Sequence, residues 1–159
     1  MANYRVQSVG NFTATFRHPL ILSNAAISLK GFKLEDTFVT SAQQMDNSKL
    51  VPLVDGGTVT LTNSMRAGRV TINALRVTNS ITDPTTGDLP LIAMTLQGLA
   101  DNVGGTLVFS YPVTLNGTDV TQTITFHYVT VVTVPPLIMA GNDIIVYPVV
   151  LNYAYYDVA

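Results

Sequence analysis

Few residues in this chain could do chemistry. Its 159 residues include two histidines, ten carboxylates, eight lysines and arginines, and no cysteine. The lack of cysteine excludes thiolate nucleophiles, disulfides and cysteine metal sites, and two histidines alone make a poor zinc ligand set. His127 lies in an apolar run beside Phe126 and Tyr128 and reads as a packed or rim side chain, not a catalytic base. His18, directly before Pro19, reads as a solvated loop residue. Glu35 and Asp36 are the only adjacent acids. Neighbouring strand residues face opposite ways, so this pair reads as a solvated strand end. Asp46–Asn47–Ser48 lacks the further ligands of a calcium loop. Asp83–Pro84–Thr85–Thr86–Gly87–Asp88 is explained by turn chemistry without a cation. No phosphate-loop, dinucleotide or nucleophile-elbow motif occurs. Asn11–Phe12–Thr13 and Asn116–Gly117–Thr118 match the glycosylation pattern by chance. Arg66, Arg69 and Arg76 form a loose cluster that fits either a phosphate patch or ion pairs to another subunit; no aromatic stacking platform accompanies it. The expectation is a structural protein and not an enzyme: no catalytic residue, no cofactor and no metal.

Composition points to assembly. Only 11% of residues are charged, and 47% are hydrophobic. Thr, Ser and Asn take the place of charge, giving a surface that hydrogen-bonds well and repels weakly, and low charge promotes association. The net charge of −2 provides no field for DNA or membrane. All lysines and arginines fall between Arg5 and Arg76, where eight bases meet four acids; from residue 77 on there are six acids and no base. Placed on different surfaces, these parts are complementary between subunits. The N-terminus has no apolar segment of a secretory signal, and no run approaches a membrane helix, so synthesis in a host cytoplasm and no membrane insertion are expected.

The elements that must position these residues are mostly strands. Residues 1–24 read as an extended arm with a short strand around Asn11–Phe16. Ala26–Phe32 alternates, with Ile27 and Leu29 on one face. Thr37–Gln43 continues as strand, and Met45–Leu50 reads as a polar loop. Gly57–Ala74 shows two alternating runs around a short Gly-containing connection and reads as a β-hairpin. Its aliphatic face carries Val59, Leu61, Val70 and Ile72, and its polar face Thr58, Thr60, Thr62, Thr71 and Asn73. The spacing of Ile92, Leu96, Leu99 and Val103 predicts one helix over Pro90–Asn102, capped by Asp88 and stopped at Gly104–Gly105. Leu107, Phe109 and Tyr111 share a face of the next strand. Asn116–Gly117 is the strongest two-residue hairpin signal. Val120–Val134 is a long β-branched strand broken by Pro135–Pro136. Gly141–Asn142–Asp143 turns into a last strand over Ile144–Tyr156, whose Pro148 asks for an edge or bulge. The fold expected is mainly β, one domain over residues 1–159, with one short helix packed on antiparallel sheets.

The strand pair AISLKGFKLEDTFVTSAQ, the two-faced run GTVTLTNSMRAGRVTINAL, one helix and the aromatic end AGNDIIVYPVVLNYAYYD together resemble the tail-tube proteins of contractile-tailed bacteriophages and related contractile injection particles. The resemblance spans about residues 25–156. It implies a β-sandwich or half-barrel subunit, six copies closing a ring in which their sheets merge into one continuous β-barrel. Stacked rings would form a tube inside a contractile sheath, and DNA would transit the channel without specific binding during genome ejection. The partners implied are other copies of the chain, a sheath protein, and baseplate or terminator proteins of the virion tail. On this reading Thr58, Thr60, Thr62, Thr71 and Asn73 line the channel, and Val59, Leu61, Val70 and Ile72 pack under the helix. Glu35, Asp36, Asp46, Lys49, Arg66 and Arg69 serve subunit or ring contacts, with the 35–49 loop reaching the next ring. The alternative is a ligand- or carbohydrate-binding β-sandwich module of a virion or cell-surface fibre. It requires an aromatic platform, for which Tyr153, Tyr155 and Tyr156 are the candidates.

Overall fold

The computed structural model describes residues 12–32, 39–43, 48–62, 67–77, 82–99, 103–139, 141 and 144–159. Ten strands and one α-helix follow in the order β1 Thr13–Arg17, β2 Ile27–Ser28, β3 Val39–Gln43, β4 Ser48–Pro52, β5 Thr58–Thr62, β6 Gly68–Ala74, α1 Leu89–Gly98, β7 Gly105–Leu115, β8 Thr118–Thr133, β9 Tyr147–Tyr153 and β10 Tyr155–Val158. Eight of the strands form one antiparallel sheet ordered β2-β1-β7-β8-β9-β6-β3, with β10 also on β8; β4 and β5 form a separate pair. The sheet curls so that the chain beyond β2 reaches the end of β6, next to the last strand: Phe32 bridges Ala74, and the Leu75 N–H donates to the Gly31 carbonyl at 2.7 Å. The fold is thus mainly β, a curled sheet of half-barrel type with one helix.

Alternation explains the core. On β6, Val70, Ile72 and Ala74 point inward while Arg69 points out. Tyr147, Val149, Leu151 and Tyr153 do the same on β9, and Ala14 and Phe16 on β1. Ile27 and Leu29 are buried and Ser28 and Lys30 exposed, as the pattern of Ala26–Phe32 predicts. Helix α1 lies against this interior with Leu89, Leu91, Ile92, Ala93 and Leu96 buried. The Asp88 carboxylate caps it, accepting from the Leu91 N–H at 3.3 Å, and Pro90 occupies the first turn. Asp88 is itself fully buried and also accepts from Arg76 Nε at 2.8 Å and from the Val77 N–H at 3.2 Å. A buried carboxylate needs such partners, so one side chain ties the helix start to the end of β6.

Prolines mark where strands lose a neighbour. Pro148 pairs with Asn73 of β6, but β8 reaches β9 only at Val150, Leu151 and Asn152. Pro112 of β7 likewise lies past Ser110, the last residue paired with β1. Among the described residues, each proline's missing donor thus falls where there is one partner strand.

Several expectations change. Gly57–Ala74 is not a hairpin. β5 pairs with β4, and both edges of β6 are taken, by β3 and β9. The physical cause lies upstream: Leu53–Gly57 makes a tight turn, with the Leu53 N–H donating to the Gly57 carbonyl and the Asp55 carboxylate accepting from the Gly57 N–H. The expected polar loop Met45–Leu50 is strand from Ser48 on. Helix α1 ends at Gly98, not Asn102, so Leu99 and Val103 are exposed instead of continuing the apolar face. Within the expected 1–24 arm, β1 is an interior strand of the sheet, between β2 and β7.

Candidate functional site

The feature that distinguishes this molecule is a sheet face. The side of β3, β6, β9 and the end of β8 that points away from the core carries Thr40 and Ala42; Arg69, Thr71 and Asn73; Val150 and Asn152; and Thr130. Cross-strand register makes these one patch: Thr40 is opposite Thr71, which is opposite Val150, and Ala42 is opposite Arg69, which is opposite Asn152, which is opposite Thr130. Arg69 brings the one charge, and its Nε donates to the Asn152 amide oxygen at 3.3 Å. The patch ends at β3, which among the described residues pairs with β6 only. A sheet edge without a second partner strand is a place where another strand can add.

The β4–β5 pair is the second feature. Gln43 of β3 is opposite Gly68 of β6, and Ser48 of β4 is opposite Thr62 of β5. The second ladder therefore follows the first along the same two runs of chain. It extends for about 17 Å at the usual rise per residue and ends in the Leu53–Gly57 turn. Leu50 is 69% exposed and Val54 fully so, with Leu53 also exposed. Apolar side chains at a hairpin tip gain nothing from water, and burying each stabilises by about 1.5–3 kcal/mol.

The expected site residues are divided by this geometry. Thr71 and Asn73 lie half-buried on the outer face of β6, and Thr58 is exposed on β5, which belongs to the other sheet. The five expected channel residues thus do not share one hairpin face. The side chains of Val59, Thr60, Leu61, Thr62 and Lys49 lie outside the described ones, although their backbone pairs in the β4–β5 ladder. Val70 and Ile72 are fully buried. Glu35, Asp36, Asp46 and Arg66 lie outside the described residues. Arg76 departs from the arginine cluster to bind Asp88. What the reading missed was the contribution of β3, β8 and β9 to the polar face. Its signal was the alternation of Thr40, Ala42, Val150 and Asn152 with inward residues.

The two histidines are each engaged within the fold. His18 is not solvated but fully buried, packed along Phe16, and its Nδ1 accepts from the Leu20 N–H at 3.1 Å. His127 Nε2 lies 2.7 Å from Asp157 Oδ2, with its ring stacked on Tyr155. Among the described residues no cluster of three His, Cys, Asp or Glu could hold a metal ion, and no helix is long and apolar enough to cross a membrane. The Asp83 carboxylate is held below its ordinary range, first by the Thr85 hydroxyl and then by the Thr85 N–H, so that turn is closed by its own groups. The three tyrosines of the proposed sugar platform part company. Tyr153 and Tyr156 pack against the core around Phe126, while Tyr155 faces out. Burial, and secondarily the neighbouring Tyr156, push the Tyr153 phenol above its ordinary value.

No protein-family model and no curated protein sequence matches this chain. Solved structures do. A chain of the six-fold symmetrised baseplate of the anti-feeding prophage matches with a TM-score of 0.61 at 12% identity, covering 100% of this chain and 97% of that one. A chain from the sheath/tube terminator of an extracellular contractile injection system, in its extended state, matches with a TM-score of 0.59 at 12% identity, over 99% and 98% of the two chains. A chain of the tube-terminating cap of the anti-feeding prophage gives 0.54 at 12%, over 100% and 94%. At this identity the likeness establishes a shared fold, that of structural components of contractile injection particles.

Proposed function

We propose that this chain is a structural subunit of the tube of a contractile-tailed particle, six copies to a ring, with rings stacked around a channel. The observation that carries the reading is the polar face of β3, β6, β9 and β8, with a single described cation, together with a β3 edge that among the described residues has no second partner strand. Strand addition at that edge joins subunits through main-chain hydrogen bonds, and closure of a ring removes the edge. The polar face then lines the channel. Its only described cation is tied to Asn152. Few cations mean few phosphate contacts, so DNA passes without being held. The shared fold with parts of a six-fold assembly and of tube ends supports this reading.

The contact to the next ring falls to the β4–β5 hairpin beside the 35–49 loop, because its end exposes Leu50, Leu53 and Val54. Sheath, baseplate and terminator proteins are the other partners on this reading, and the particle is the site of action. Negative-stain microscopy of the purified protein tests it. Hollow rods of variable length are expected of a tube subunit, and single six-fold rings of a tube-end subunit. Monomers at high concentration contradict both.

A further inference from the structure

A strained aromatic cluster lies on the outward side of β8, next to the Thr130 end of the face just described. Gly105 of β7 is opposite Val129 of β8, and Thr106 is opposite His127, so Tyr128 is an extra residue bulged out of the ladder. Its φ is +54° and its side chain is 62% exposed. Left-handed backbone is the territory of glycine at such bulges, and any residue with a Cβ is strained there. The packing leaves no slack: a Cβ on Gly104 would stand 2.9 Å from the Tyr128 backbone. The facing chain changes phase at the same level. Tyr153 points in, Ala154 interrupts the strand, and Tyr155 points out. Both shifts bring tyrosines to one surface. The ring centroids of Tyr128 and Tyr155 are 6.0 Å apart, Tyr155 stacks on His127 at 4.5 Å, and His127 holds the Asp157 carboxylate, whose side chain remains 65% exposed. Strain held at an exposed aromatic is the kind of outlier from which a functional hypothesis is drawn.

We propose that Tyr128, Tyr155, His127 and Asp157 form a docking patch for a lysine or arginine side chain of a second copy of this chain. The patch offers a cation an open ring face and a carboxylate. Its charge complement is in the same chain. Residues 77–159 contain six acids and no base, whereas every lysine and arginine lies at or before Arg76. Of these, Arg17, Lys30 and Arg69 are exposed on the described surface, and Arg69 is already bonded to Asn152. Arg17 lies in the same cross-strand row as His127, with Thr106 between them. Its backbone is about 10 Å from that of His127, two strand spacings, and its charge is partly screened from the patch at physiological salt. The inference rests on self-assembly of the chain but names a contact that ring formation by strand addition does not require.

Sedimentation velocity on the full chain, with urea unfolding of each variant alongside, tests it. Tyr128→Gly relieves the left-handed strain, so its unfolding midpoint should equal or exceed that of the parent, while self-association weakens about tenfold. Tyr128→Phe keeps the ring and should associate like the parent. Asp157→Asn should weaken association about threefold and reduce its dependence on salt. Tyr128→Gly associating like the parent overturns the proposal and leaves the tube reading intact. So does Tyr128→Phe losing as much as Tyr128→Gly, because the hydroxyl would then be the contact. A parent chain that is monomeric at every concentration overturns both.

Discussion

Two hairpins leave the curled sheet, and they are finished in different ways. Beyond Ser110, where β1 stops, β7 and β8 run on together to the Asn116–Gly117 turn. This hairpin is closed by its own polar groups. The Tyr111 hydroxyl donates to Gln122 at 2.9 Å, the Thr114 hydroxyl to Asp119 at 2.6 Å, and Ser110 and Thr123 share a hydroxyl bond. Its turn places Asn116 at φ +52° and Gly117 at +79°, the two left-handed residues that match strand twist. The β4–β5 hairpin has a comparable turn, but its end exposes Leu50, Leu53 and Val54. Among the described residues, the first hairpin is held by its own polar groups and exposes one large apolar side chain, Val120; the second exposes three, so it leaves more apolar surface for a neighbour to cover.

The comparison can be broken or sharpened by substitution. The largest effect should come from the body that carries both hairpins. Asp88→Ala strips Arg76 and two backbone donors of their acceptor and should cost about 3 kcal/mol in urea unfolding, with both hairpins affected. Next, Gly117→Val forces a β-branched residue to φ +79° and should destabilise by about 1–2 kcal/mol without a separate effect on assembly. Val54→Glu should do the reverse: stability within about 0.5 kcal/mol of the parent, but assembly by light scattering reduced by about tenfold or more. If Val54→Glu assembles normally, the two hairpins are equivalent and the contrast fails. The smallest effect is expected outside both. The folded-state carboxyl of Asp83 titrates below its ordinary 3.8 because of Thr85. Its contribution is therefore present above 3.8 and lost as pH falls through the lower folded value. Thr85→Val should move the Asp83 carboxyl resonance back up in an NMR titration while leaving both hairpins unchanged.

Which of these regions could be read from sequence depends on where the information lies. Asn116–Gly117 is a local signal, and the hairpin it predicts is present. The Asp88 cap with Pro90 is equally local. Pairing is not local. The Thr-alternating run at 58–62 states that it is a strand but not which strand is beside it, and consecutive strands neighbour each other only about two-thirds of the time. Asp55–Gly56 carried the needed clue, since Asp-Gly is a hairpin signal in its own right. It was masked because SKLVP, with a lysine and a proline, does not look like a strand. The inward and outward residues of β6 follow from alternation, whereas the polar face needs β3, β8 and β9 beside it and so exists only in the fold. The bulge at Tyr128 and the burial of His18 left no trace in periodicity, because each depends on a close contact with a distant segment: Gly104 in one case, Gly105 in the other.

The account stands on where the face of Thr40, Thr71, Asn73 and Asn152 goes when copies assemble. A cryo-electron microscopy map of the assembled protein would place it directly. We expect these side chains on the wall of an axial channel, with β3 of one copy hydrogen-bonded to a strand of the next. A map with this face turned outward, or with β3 still unpaired between subunits, would contradict the account.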